Sequence, residues 1–190
     1  MLTNEEAYNA ALDINLLKNH CARIYYFGLG FIQVKLDDSF RVHYYTDKLP
    51  AITEDIHNHR YDFTSEVVSG KLSTTIYRLA VGETHRILNS SCEAGGSAPE
   101  DGRLVDPYVI RVLTKHCWDF VNSYSLQAHE YHTVKAHQPT ITLVNTQPRT
   151  KDYAKIVVPV DKEKICPFSK EVPESDLWNI IEEMIENARS

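Results

Sequence analysis

An all-β protein, a barrel or sandwich flanked by N- and C-terminal helices, is predicted by three observations. Apolar residues recur at helical spacing only near the two ends of the chain. Between those ends lie roughly ten short segments that alternate or are β-branched. Turn-type residues separate the segments, a pattern typical of closed barrels and sandwiches.

Residues 3–19 read as the first helix. Thr3 with Glu6 three positions later has capping-box form, and Ala7, Ala11, Ile14 and Leu17 fall on one face. The strand segments then follow in order as "FIQVKL", "FRVHYY", "FTSEVVSG", "LSTTIYRL", "YVIRVL", "CWDFV", "YSLQAH", "YHTVKA", "TITLVN" and "AKIVVPV". Breaks are expected at "DDS", "SG", "GE" and the Gln138–Pro139 pair. Residues 89–107, "NSSCEAGGSAPEDGRLVDP", hold three of the seven glycines and read as a long surface excursion between strands. A last helix begins with Ser175 as its cap, and Leu177, Ile180, Ile181, Met184 and Ile185 form its apolar face. A chain of 190 residues suits one domain, here residues 1–190 with a barrel core at about 31–160.

Composition narrows the function. A formal net charge of -6 and no basic stripe argue against nucleic acid, which requires clustered Lys and Arg to displace counterions. The N-terminal stretch lacks the basic start and apolar run of a secretion signal, and no apolar run is long enough to cross a bilayer. The expectation is a cytoplasmic protein with a small-molecule substrate, whose terminal helices are available for a homodimer interface. Cys21, Cys92, Cys117 and Cys166 are scattered with no C-x-x-C pair, so buried reduced thiols are expected.

The chemistry concentrates in histidines. In "IHNHRYDFTSEVVSGKL", His57 and His59 stand two apart, so on a strand both project from one face toward one ion. A metal holds such imidazoles neutral, whereas protonated rings would repel each other. "LQAHEYHTVKAHQPTITLVN" offers a third ligand in His132 or His129. These two are three apart, so an extended strand brings only one of them inward. Three neutral imidazoles on one side of an ion leave positions open for water or substrate, as catalytic sites require.

The H-x-H pair, the apolar strand ending at Gly70 and the later "YHTV" resemble the two-motif pattern of the cupin superfamily across about residues 31–148. The resemblance implies a double-stranded β-helix, or jelly-roll, barrel with one metal near its axis. It assigns His57, His59 and His132 as ligands, with His129 as the runner-up. The glutamate ligand of that family would fall at Phe63, seven residues before Gly70, which leaves Glu66 as an off-register alternative. Lacking that acid, the chain is most similar to the three-histidine thiol dioxygenases of the cysteine and cysteamine types, which hold ferrous iron and add O₂ to sulfur. Phe63 and Thr146 occupy the places of that family's crosslinked cysteine and tyrosine, so no crosslink can form.

The expected enzyme is a mononuclear non-haem Fe(II) dioxygenase, with Zn, Mn or Ni as other metals. Tyr77, Tyr124 and Tyr131 are candidates for catalytic roles, and Arg41, Lys35 and Trp118 for substrate contacts. Two other readings stay open. One is a non-catalytic cupin that binds a small ligand or a partner protein; the other is a sugar isomerase using its metal as a Lewis acid. A Ser or Cys hydrolase is not supported, since no G-x-S-x-G elbow is present.

Overall fold

The computed structural model describes residues 1–90, 110–162 and 172–190, and of 110–117 and 138 the backbone only. Among the described residues, mostly antiparallel β-structure of nine strands is accompanied by three helices.

The expected first helix is two. α1 spans Asn4–Ala11 and is capped as anticipated: the Glu6 amide donates to Thr3 Oγ1 at 3.2 Å while the Thr3 amide donates to Glu6 Oε2 at 2.8 Å. α2 spans Ile14–His20, and its start is fixed by Asp13, whose Oδ1 accepts from the amides of Asn15 and Leu16 at 2.9 and 3.0 Å. A carboxylate bonding to the backbone ahead of it stops one helix and caps the next. At the other end α3 spans Glu174–Arg189. Its cap position is Pro173 rather than Ser175; the amides of Asp176 and Leu177 donate to the Pro173 carbonyl, which places Ser175 inside the first turn.

Nine strands follow the order of the chain: β1 Arg23–Phe27, β2 Phe31–Lys35, β3 Phe40–Tyr45, β4 Ile56–His57, β5 Phe63–Ser90, β6 Ile110–Trp118, β7 Ser123–Leu126, β8 Tyr131–Thr146 and β9 Ala154–Pro159. They pair in the order β1-β2-β3-β8-β4-β9-β5-β6, with β7 on β5. β5 also pairs with β8, so the circuit β8-β4-β9-β5 returns to its start. That closure is consistent with a cupin-like barrel.

Several expected breaks are continuous strand. "FTSEVVSG" and "LSTTIYRL" form part of the single 28-residue β5, and "GE" lies inside it. "YHTVKA" and "TITLVN" are likewise one strand, β8, which contains Gln138 and Pro139. The register explains why: pairing passes from Ser69↔Ile141 to Lys71↔His137, so a bulge absorbs these residues without ending either strand. Proline, which has no amide hydrogen for a ladder, is tolerated at such a bulge. Gly70 is required there, because its φ is +89° and an added Cβ would lie 2.4 Å from the Pro139 carbonyl oxygen. β1, an apolar "RIYYF" segment, was not expected from the pattern. Of the excursion expected at 89–107, Asn89 and Ser90 are instead the end of β5; residues 91–107 lie outside the described residues.

The core forms where the three helices cover one face of β1, β2, β3 and β8. Ala7, Leu17, Val34, Val42, Tyr44, Ile141, Leu143, Leu177, Ile181 and Ile185 pack together there, and the Tyr44 hydroxyl donates to the Ala11 carbonyl at 2.8 Å. By strand alternation the opposite face of the same strands carries Arg23, Tyr25 and Phe27, then Phe31, Gln33 and Lys35, then Arg41, His43 and Tyr45. That second face is where the site lies. Among the described residues, no helix is long and apolar enough to cross a membrane. Cys21 is a free, partly buried thiol whose pKa burial pushes up.

Candidate metal centre

Register brings the histidines together. β4 is only two residues long and sits between β8 and β9, with His57 opposite His132 on one side and Ile156 on the other. Asn58 then turns its side chain away and locks the chain to β9: its amide donates to the Lys155 carbonyl at 2.9 Å, and its Oδ1 accepts from the Lys155 amide at 2.6 Å. His59, next in alternation, returns to the side of His57.

The three rings form a nearly equilateral triangle. Centroid separations are 4.9 Å for His57–His59, 4.7 Å for His57–His132 and 5.0 Å for His59–His132. One nitrogen from each lies within 4.8 Å of the other two, and no Asp, Glu or Cys joins the group among the described residues. His59 Nε2 and His132 Nε2 are 2.8 Å apart. Two nitrogens so close can both reach one ion at about 2.1 Å.

Electrostatics agree with neutral ligands. Burial, followed by the neighbouring His57, His132 and Arg41, holds the His59 imidazole well below its ordinary pKa; burial and His57 do the same to His132. Neutral imidazole is the form that binds metal. Nδ1 of His57 bonds the Asp55 carbonyl at 3.0 Å, which fixes its proton there and leaves Nε2 for an ion. His132 Nδ1 is buried without a partner. The donor set therefore fits a mononuclear metal.

Around the triangle stand groups of two kinds. Phe63 lies edge-on to His59 at 4.7 Å, and Tyr124 lies 6.3 Å from His132, with burial and the charge of Glu54 raising its phenol pKa. Ile76, Leu126 and Val144 complete this apolar side with Phe63. On the other side Tyr61 lies 5.6 Å from His59 and accepts a 2.5 Å hydrogen bond from Arg41, whose guanidinium also sits 4.7 Å above its ring. A cavity of about 290 Å³ opens here, lined by His57 and His59, by Tyr61 and Arg41, and by the polar face of β1–β3.

The remaining candidates are placed variously. His129 is exposed in the turn before β8 and gives no atom to the triangle. Glu66 gives none either: β5 pairs with β8 without a register shift from Phe63 to Val67, so alternation puts Glu66 on the face away from Phe63. Tyr77 and Tyr131 pair with each other, one residue along from the Ile76↔His132 pair, and so lie on the face opposite His132; the Tyr77 hydroxyl instead bonds Thr133 Oγ1 at 3.1 Å. Trp118 is 40% exposed at the end of β6 and does not line the cavity. Lys35 does line it and pairs with Asp38 at 3.0 Å.

Sequence reasoning missed Glu54, Asn58 and Tyr61. Glu54 accepts the Val134 amide at 2.5 Å and stands 3.9 Å from His57 Nδ1, and burial raises its pKa. Tyr61 was accessible by the same two-residue alternation that pairs His57 with His59. Glu54 carried no such signal.

No protein-family model and no curated protein matches the chain. Among solved structures, the X-ray structure of E. coli ycfD aligns over 78% of this chain at 12% identity and a TM-score of 0.32; the chain spans 39% of that protein's length. Hydroquinone 1,2-dioxygenase PnpCD, crystallised with Cd2+ and 4-hydroxybenzonitrile, aligns over 79% of this chain and 80% of its own at 15% identity and a TM-score of 0.30. Likeness at this level decides neither family nor activity. What the fold and site define is a mostly antiparallel β-protein with a three-histidine cluster able to hold a metal ion.

Proposed function

We propose that the protein is a metal-dependent cupin-type enzyme, a mononuclear non-haem Fe(II) dioxygenase acting on a small molecule in the manner of the thiol dioxygenases. The observation that carries this reading is the triangle of His57, His59 and His132, a ligand group without a carboxylate, of which His57 and His59 line a cavity of small-molecule size. Iron bound there supplies the redox chemistry for incorporating O₂ into substrate.

The chain's own residues position and shield. The His59 and His132 imidazoles stay neutral, and with His57 they would hold one side of the ion. Phe63, Ile76 and Tyr124 keep water from the apolar side, and the Tyr124 phenol retains its proton. Arg41, steadied by Tyr61, supplies positive charge next to His59 for orienting an anionic group. Phe63 and Thr146 are cross-strand partners, so the positions corresponding to the thiol dioxygenase crosslink are adjacent but hold residues that cannot form it.

Metal analysis of protein purified without added metal, followed by anaerobic Fe(II) loading and an oxygen-electrode assay over a panel of small thiols, tests this. Near-stoichiometric iron with thiol-dependent oxygen uptake is expected. Failure to take up any metal after loading overturns the reading, whereas metal uptake without oxygen consumption overturns the dioxygenase assignment and leaves a ligand-binding protein.

A further inference from the structure

The face of β1–β3 that lines the cavity is organised in cross-strand rows. Arg23 is register partner of Lys35, and Lys35 of Arg41, so three cations stand side by side across three strands. The next row is Tyr25, Gln33 and His43: the Tyr25 hydroxyl donates to Gln33 Oε1, and Gln33 Nε2 donates to His43 Nε2 at 2.9 Å. The third is aromatic, with Phe27 stacked on Phe31 at 4.8 Å and Phe31 tilted against Tyr45 at 5.0 Å.

Like charges placed directly opposite on neighbouring strands repel, and the partners of Lys35 and Arg41 do little to relieve it. Arg41 bonds only the neutral Tyr61 hydroxyl, pairs with no carboxylate among the described residues, and has a buried Nε without a partner. Lys35, 34% exposed, is held by Asp38, whose side chain is 99% exposed, and a pair so open on its acidic side is weak and easily exchanged. Arg60 and Arg149 also line the cavity, against Glu54 and Asp55 on the histidine side. The cavity is thus locally basic in a chain of net charge -6.

We propose that this cavity binds a dianionic small molecule, its negative charges held by the row of Arg23, Lys35 and Arg41. Adjacent strands are about 4.8 Å apart, so the row spans about 10 Å, enough for both charges of a phosphate monoester or of a short dicarboxylate. A long polyanion does not fit the observations: the site is concave and small, and a chain of net charge -6 repels such a ligand. The contact chain Arg41–Tyr61–His59 sets the anion beside the metal triangle. That the bound dianion is substrate rests on the proposed metal-dependent activity; that it binds does not.

Isothermal titration of metal-free protein with inorganic phosphate, succinate and acetate, at constant ionic strength, tests the proposal. At least one dianion is expected to bind roughly tenfold or more tightly than acetate, and Arg41→Gln and Lys35→Gln are each expected to weaken it about tenfold. A preference for phosphate identifies a phosphate ester, and one for succinate a dicarboxylate; both support a dianion site. Lys35 is partly exposed and its ion pair is with the exposed Asp38, so its variant keeps the test valid where Arg41→Gln does not fold. Acetate binding as tightly as the dianions, no binding of any anion, or dianion affinity unchanged in Lys35→Gln overturns it. Metal uptake is measured separately on the same protein. Dianion binding in a wild type that takes up no metal supports this inference while removing the metal reading, and metal uptake without dianion binding does the reverse.

Discussion

His57 and His132 are register partners across β4 and β8, and their rings stand 4.7 Å apart. Two corners of the three-histidine cluster are therefore set by backbone pairing, and each histidine can be removed without removing the scaffold. His57→Ala and His59→Ala are each expected to lower metal affinity by more than about a hundredfold while the fold persists. Metal content of the purified variants, with circular dichroism as the fold control, checks this; full occupancy in either variant would exclude it as a ligand.

His132 and His129 separate sharply. His132 is 2% exposed and inside the triangle, whereas His129 is on the surface. His132→Ala is expected to lose the metal, and His129→Ala to keep wild-type affinity. Loss of metal in His129→Ala would contradict the register of β8 against β4.

How much of this was legible depended on how local the signal was. The capping box at Thr3 and the H-x-H alternation are written within a few residues and were read directly. Asp13 was equally local, yet its helix-capping role was hidden because the apolar spacing runs straight through it from Ala11 to Ile14. Gly70 and Pro139 read as strand ends because each usually is one; only their meeting in one bulge keeps both strands intact. The approach of Glu54 to His57 and Val134, and the alignment of Arg23, Lys35 and Arg41, depend on tertiary register that periodicity does not encode.

That bulge predicts a specific sensitivity. In Gly70→Ala a Cβ would meet the Pro139 carbonyl oxygen at 2.4 Å, in a backbone conformation that L-residues rarely adopt. A loss of about 2–4 kcal/mol in unfolding free energy is expected. Urea denaturation measures it; a change below about 0.5 kcal/mol would show that the two strands do not approach so closely.

Asn58 offers a test of support without ligation. Asn58 is 3% exposed and its Oδ1 accepts the Lys155 amide at 2.6 Å, so Asn58→Ala leaves that partly buried donor unsatisfied. The cost is expected to be about 1–3 kcal/mol in stability, with metal affinity reduced about tenfold because His57 and His59 lose their anchor to β9. Asn58→Asp retains an acceptor oxygen and is expected to recover part of the affinity. Equal metal binding in Asn58→Ala and the wild type would show that β4 is held by its neighbours alone.

The last prediction concerns acid. His43 is pushed down to about 3 by burial and by the charge of Arg41, and its Nε2 accepts from Gln33 Nε2, a bond that a protonated ring cannot accept. An unfolded chain titrates this histidine near 6.5. Above that pH neither state carries the proton, and this group makes no pH-dependent contribution. Between about 6.5 and about 3 the unfolded state binds a proton that the folded state does not, so folding stability falls as the pH falls, by at most about 1.4 kcal/mol per unit. Carboxylates and the other histidines titrate over parts of the same range, so the comparison must be with His43→Gln, in which their contributions cancel. The wild type is expected to lose about 1–2 kcal/mol more than His43→Gln between pH 7.5 and 5 in urea denaturation. Parallel losses in the two proteins would mean that the folded state accommodates the His43 proton, and that the Tyr25–Gln33–His43 row rearranges to receive it.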